Sequence, residues 1–128
     1  DPSGAETVKI PMNDFFFQDG ARVQKFAISK TCEASKELME RNKVHASDLQ
    51  YFVGHQANLR MLSKACEHLG FREDQHLYNA DHYGNQGGAS APSVLAQNWH
   101  KFESGDLVLV SVVGSGLTWG SALLRFHK

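Results

Sequence analysis

Seven residues near the C-terminus, Leu107-Val108-Leu109-Val110-Ser111-Val112-Val113, limit the choice of fold more than any other stretch. They are apolar nearly throughout and rich in β-branched valine, without the polar alternation of a strand that keeps one face in water. Such a run suits a strand covered on both faces, and therefore a sheet with helices on either side. Gly114-Ser115-Gly116 turns the chain after it, and Thr118 to Phe126 returns as a final strand.

The segments upstream supply those helices. A helix is predicted from about Ala21 to Asn42, with Val23, Phe26, Ala27, Ala34 and Leu38 recurring at three- and four-residue steps on one face. A second runs from about Asn58 to Leu69, with Leu59, Leu62, Cys66 and Leu69 on one stripe and Gly70 as its stop. The glycine-rich loop 84–88 opens a third, with Ser90 near its cap and Pro92 in the first turn, closing near Phe102. Between them, Leu49 to Val53 reads as a strand and His76-Leu77-Tyr78 as a shorter one. Phe15-Phe16-Phe17 reads as a strand packed on both faces, after a surface lead-in over residues 1–13. The order helix, strand, helix, strand, helix, strand, strand is α/β.

With 128 residues and 41% apolar composition, the chain is sized for one domain with a real core. A net charge of −1, with no basic stripe, argues against nucleic acid or an anionic membrane as the main partner. The longest apolar run is too short to cross a bilayer. There is no signal-peptide pattern, and the absence of Met at position 1 suggests a processed or excised piece. Cys32 and Cys66 fall within predicted helices and lack CxxC spacing, so a reducing cytoplasm is the expected setting. Neither lies at a helix N-terminus where a thiolate is favoured, and neither is expected to be a nucleophile. The histidines are dispersed, with no HxxxH or HExxH pattern, which argues against a metal site.

Two polar residues stand where chemistry is placed in open α/β sheets. His55 follows the apolar strand ending at Gly54 and precedes a helix, so it faces whatever lies beyond the strand end. Taken alone, a histidine is more often packed or on the surface than catalytic. Here a neutral imidazole could donate to a carbonyl oxygen gaining negative charge. Asn85, in Tyr83-Gly84-Asn85-Gln86-Gly87-Gly88-Ala89-Ser90, reads either as a turn residue or as a second donor to the same oxygen. Gly84, Gly87 and Gly88 match neither the P-loop nor the dinucleotide fingerprint; they suit a narrow substrate arm passing close to backbone. Gly114-Ser115-Gly116 reads as a plain tight turn or as a source of oxyanion-hole N–H groups.

Three ordered motifs carry a resemblance over the chain from about Gln18 onward: His55-Gln56-Ala57-Asn58-Leu59-Arg60, then Gly84-Asn85 with Ala89-Ser90, then Gly114 to Phe126. Together they resemble the C-terminal half of β-ketoacyl-(acyl carrier protein) synthase III. The resemblance implies a thiolase-like fold in which two similar α/β halves pack around shared helices. Residues 1–17 are then a lead-in from the region between the halves, and residues 18–128 the C-terminal domain. It also implies a homodimer, no resident cofactor, and thioesters of CoA or acyl carrier protein as substrates.

In that family a cysteine of the N-terminal half accepts the acyl group. A histidine and an asparagine, here His55 and Asn85, stabilise the enolate left when a malonyl thioester loses carbon dioxide. Asn58 and Arg60 would lie at the mouth by the pantetheine arm and phosphates, with Gly87 and Gly88 beside it. Ser115 would give an oxyanion N–H within the turn of Val113, Gly114 and Gly116. The family turn usually reads Phe-Gly-Gly-Gly, and Val113-Gly114-Ser115-Gly116 departs from it, pointing to specialised polyketide or fatty-acid-derived metabolism. The competing expectations are a non-catalytic subunit that shapes a partner's pocket, and acyl transfer to an oxygen or nitrogen acceptor without decarboxylation.

Overall fold

The computed structural model describes residues 2–9, 12, 15 and 17–127. Strands β3 (Tyr51–Gly54), β4 (His76–Leu77), β5 (Leu107–Gly114) and β6 (Thr118–Arg125) form one sheet in the order β4-β3-β5-β6. β3 runs parallel to both neighbours, and β6 returns antiparallel to β5. Helices α1 (Gly20–Asn42) and α2 (Leu59–Leu69) cover one face, where Phe52 and Leu109 meet Met39, Cys66 and Leu69. Helix α4 (Ser90–Gln97) covers the other, where Val53 and Val108 meet Ala91 and Val94. The mixed α/β architecture is the one read from the sequence.

The strand that constrained the fold behaves as its composition requires over its first half. Val108 and Leu109 are fully buried, one toward each layer. The far end is different: Val112 is 38% exposed, and Gly114 is exposed. No described helix is long and apolar enough to cross a membrane.

Several boundaries differ from the sequence reading, each for a local reason. The row of α1 that is buried is Ala27, Thr31, Ser35 and Met39, at four-residue steps. Val23, Phe26, Ala34 and Leu38 are only half-buried, because small side chains let the Thr31–Ser35 face lie against β5 and β6. In α2 the buried stripe gains Met61 and Ala65, and Leu59, in the first turn, is half-buried.

The third predicted helix is broken. A 3₁₀ turn, Gly87–Ala89, precedes α4, and another, Trp99–Lys101, follows it. Asn98 closes α4, its backbone N–H and its Nδ2 both donating to the Val94 carbonyl, at 3.1 and 2.8 Å. A one-turn helix, α3 (Ala80–Tyr83), was too short to leave a periodic signal.

The aromatic run near the N-terminus is also corrected. Phe16, like Ile10, Pro11 and Asn13, lies outside the described residues. Phe15 is 89% exposed and Phe17 49% exposed, so no strand packed on both faces forms there. Instead β1 (Val8–Lys9) and β2 (Phe17–Gln18) make a two-stranded antiparallel ribbon apart from the main sheet. The segment ahead of it is tied down, with Thr7 and Gly4 buried and a Cβ at Gly4 colliding with Leu117.

Two features of this core have measurable consequences. A Cβ added at Gly54 would collide with Leu62 Cδ2, and Leu62 is itself only 3% exposed. Gly54→Val therefore costs about 1–3 kcal/mol of stability through overpacking, read as a lower denaturation midpoint. His76 is buried between Phe52 and Tyr78, its Nε2 lacking a partner, and burial pushes its pKa down to about 4. The unfolded chain binds this proton near pH 6.5, so the fold loses stability as pH falls from about 6.5 to about 4. That loss is about 3 kcal/mol, and His76→Phe removes it from the pH profile of unfolding.

Candidate active site

The loops that follow β3, β4 and β5 all leave the same edge of the sheet, where open α/β sheets hold ligands. An open cleft of ≈ 1060 Å³ lies there. Its lining includes His55 and Asn58 from the β3 end, Asn85, Gly87 and Gly88 from the loop after β4, and Val113, Gly114 and Ser115 from the β5 end. Residues separated by up to 60 positions are thus gathered by strand pairing alone. Arg60 and Gly116 are not part of that lining: Arg60 is exposed in the first turn of α2, and Gly116 sits in the turn at φ +121°.

His55 is half-buried, and its burial holds the imidazole pKa below its ordinary value. The neutral form is therefore favoured, and it keeps one ring N–H to donate. Asn58 has extended backbone and caps α2, its Oδ1 accepting from Met61 N at 3.4 Å.

Asn85 is exposed, and its Oδ1 accepts from the Gly87 backbone N–H at 2.9 Å. That Asx turn orients the carboxamide, because only the oxygen can accept from an N–H. The NH₂ group is left to donate, with no partner among the described residues. Gly84 at φ +63° and Gly87 at φ +59° bend the chain on either side of Asn85, in the left half of backbone space where a side chain is strained.

The turn after β5 holds Ser115 without strain, since Lys43 is the one described non-glycine residue with positive φ. Ser115 is exposed, its carbonyl accepting from Thr118 Oγ1 at 3.3 Å. Val113 is half-buried at the rim.

Sequence reasoning missed part of the wall. Val23 and Phe26 of α1 and Trp119 of β6 line the same cleft. The Phe26 and Trp119 rings meet edge to face at 5.5 Å, with Lys30 Nζ 4.9 Å from the Trp119 centroid. The available signals were Phe26, on the apolar face of the first helix, and Trp119, three residues past Gly116. Gln56, quoted for its neighbours, is wholly buried. Cys66 lies in the core with its thiol pushed up to about 12 by burial, and Cys32 is shifted upward for the same reason. Both are poor thiolates, as expected.

Comparison with known proteins gives the family and the fold. Residues 39–126 match the family described as 3-oxoacyl-[acyl-carrier-protein (ACP)] synthase III C terminal. The beta-ketoacyl-[acyl-carrier-protein] synthase III of a Sulfurovum species is 34% identical over 127 residues, covering 98% of this chain and 37% of that protein. The Rickettsia typhi protein of the same name is 36% identical over 109 residues, covering 84% of this chain and 34% of its own length.

Among solved structures, the 3-oxoacyl-[acyl-carrier-protein] synthase III of Aquifex aeolicus superposes with a TM-score of 0.94 at 29% identity, over 98% of this chain and 42% of that one. The synthase III of Thermus thermophilus gives 0.93 at 31% identity, over 99% and 44%. The chain thus spans a little over a third of the curated relatives it matches, and the thiolase-like fold expected from the motifs is the one observed. The chain belongs to the synthase III C-terminal family.

Proposed function

We propose that this chain is the C-terminal half of a β-ketoacyl synthase III-type acyltransferase, and that His55 and Asn85 are its enolate-stabilising pair. The observation that carries the reading is that both line one cleft, His55 with its pKa held down by burial and Asn85 with its oxygen already engaged. A neutral N–H and a carboxamide NH₂ suit an oxygen that gains charge only as the reaction proceeds.

The cysteine thiolate of an N-terminal half attacks the carbonyl of an acyl-CoA or acyl-carrier-protein thioester, and the carrier thiol leaves. A malonyl-type thioester then loses carbon dioxide; the electron pair passes to the α-carbon, and the enolate oxygen takes hydrogen bonds from His55 and Asn85. The carbanion attacks the acyl-cysteine, the tetrahedral oxyanion rests on the Ser115 backbone N–H, and collapse expels the thiolate. Covalent capture divides one difficult condensation into two easier steps.

Asn58, Gly87 and Gly88, which line the cleft, would take the pantetheine arm, and Arg60, exposed nearby in the first turn of α2, would take its phosphates. The complete enzyme works as a homodimer in the cytoplasm and needs no resident cofactor. Val113 at the cleft rim, where the family usually carries an aromatic residue, supports a specialised role in polyketide or fatty-acid-derived metabolism.

In the complete enzyme, His55→Ala and Asn85→Ala each lower decarboxylative condensation by about 10²–10³-fold, while acylation of the cysteine, followed by intact mass, persists. Condensation at the wild-type rate in either variant would remove the mechanism of a paired donor. The His55 imidazole, followed by NMR, titrates with a midpoint below 6.5, because burial penalises the charged ring. The neutral ring therefore predominates at pH 6.5 and above and gives way to the charged imidazolium only under more acidic conditions; a midpoint above 6.5 contradicts the electrostatic argument.

A further inference from the structure

His55 and Asn85 ride on separate loops, and one buried side chain joins those loops. Gln56 is 0% exposed. Its Nε2 donates to the Gly54 carbonyl at 2.8 Å, on the other side of His55. Its Oε1 accepts from Asn79 N at 2.9 Å and from Ala80 N at 3.1 Å. Those two N–H groups open α3, whose own N-cap residue makes no side-chain cap. Gln56 thus caps α3 from across the sheet, satisfying donors that are otherwise left without partners. Four residues on, Gly84 N closes α3 on the Ala80 carbonyl at 3.0 Å, and Asn85 follows directly.

The other side of Asn85 is held by the same network. Gln86 N donates to Ser90 Oγ at 3.1 Å, and the Ser90 carbonyl accepts from Ser93 Oγ at 2.8 Å. Ser93 Oγ in turn accepts from Asn79 Nδ2 at 3.0 Å, and Gln97 Oε1 accepts from the same nitrogen at 3.0 Å. Asn85 is therefore strung between two anchors, Ala80 and Gln86, and both trace back to the carboxamide beside His55. A hydrophobic residue could fill the Gln56 site, but none could join a strand end to a helix start. Buried polar networks of this kind select one arrangement over near alternatives, since a broken link leaves buried groups unpaired.

We propose that Gln56 is a positioning residue that sets the spacing of the His55–Asn85 donor pair, acting through α3 and the Asn79–Ser93–Ser90 chain. The inference rests on the enolate-stabilising reading above. A misplacement of about 1 Å can cost about 10²-fold in rate without touching substrate affinity.

The test uses the complete enzyme, with acyl loading, condensation and thermal unfolding measured in parallel. Gln56→Leu is expected to lower kcat of condensation by about 10²-fold, with KM and acyl loading held. In an Asn85→Ala background the same substitution is expected to add nothing, because a donor already removed cannot be misplaced. Losses that multiply in the double variant, loading that falls together with condensation, or a wild-type kcat each overturn the inference.

Should Gln56→Leu fail to fold, Ser93→Ala breaks the next link while leaving Gln97 on Asn79. It is expected to cost about tenfold in kcat by the same smaller misplacement, and a wild-type kcat there overturns the inference equally. If Asn85→Ala itself condenses normally, the enolate-stabilising reading has failed and takes this one with it. If Asn85→Ala is impaired while the Gln56 and Ser93 variants are not, only the positioning role falls.

Discussion

The parallel pairing of β3 between β4 and β5 is the constraint on which the remaining structure depends. Parallel neighbours require crossover connections, and the crossovers bring helices to both faces. The same pairing sends three chain ends out of one sheet edge, so His55, the Asn85 loop and the 114–116 turn must be neighbours. No contact among those residues is needed to gather them. The close approach at Gly54, with Leu62 pressed against the end of β3, keeps this edge tight on the α2 side.

Polarity at that edge is arranged so that donors are oriented but not spent. Burial keeps His55 neutral without a charged neighbour. Asn85 spends its carbonyl oxygen on Gly87 N–H and retains its NH₂. Asn58 spends its own on the start of α2. The common device is a side-chain oxygen tied to local backbone, which fixes a nitrogen in space at the cost of one hydrogen bond. The two cysteines of the chain lie away from this chemistry, and burial raises both thiols.

Much of this was legible in the residues. The run at Leu107–Val113 announced the buried Val108 and Leu109 but not its exposed far end, and the amphipathic spacing of α2 and its Gly70 stop were found within a residue or two. His55 and Asn85 stood out because each sits where an element gives way to glycine, the positions at which backbone geometry aims a polar group outward. The misreadings share a cause. α1 buries Thr31 and Ser35, which hydropathy counts as surface, because helix-to-sheet distance favours small side chains over apolar ones. The aromatic residues at 15 and 17 look like core and are exposed, on or beside a two-stranded ribbon that is not part of the main sheet.

The sequence by itself determined the class of fold and the family motifs, and it singled out His55 and Asn85 as candidate donors, since these follow from local periodicity, residue chemistry and the motifs that carry the resemblance. Only the tertiary structure decided what joins the donors. Gln56 and Asn79 lie 23 positions apart, and nothing in either neighbourhood announces that a carboxamide beside one loop caps the helix that begins the other. Hydrogen bonds across strands depend on register and depth of burial, which are properties of the assembled sheet and leave no periodic trace in the chain.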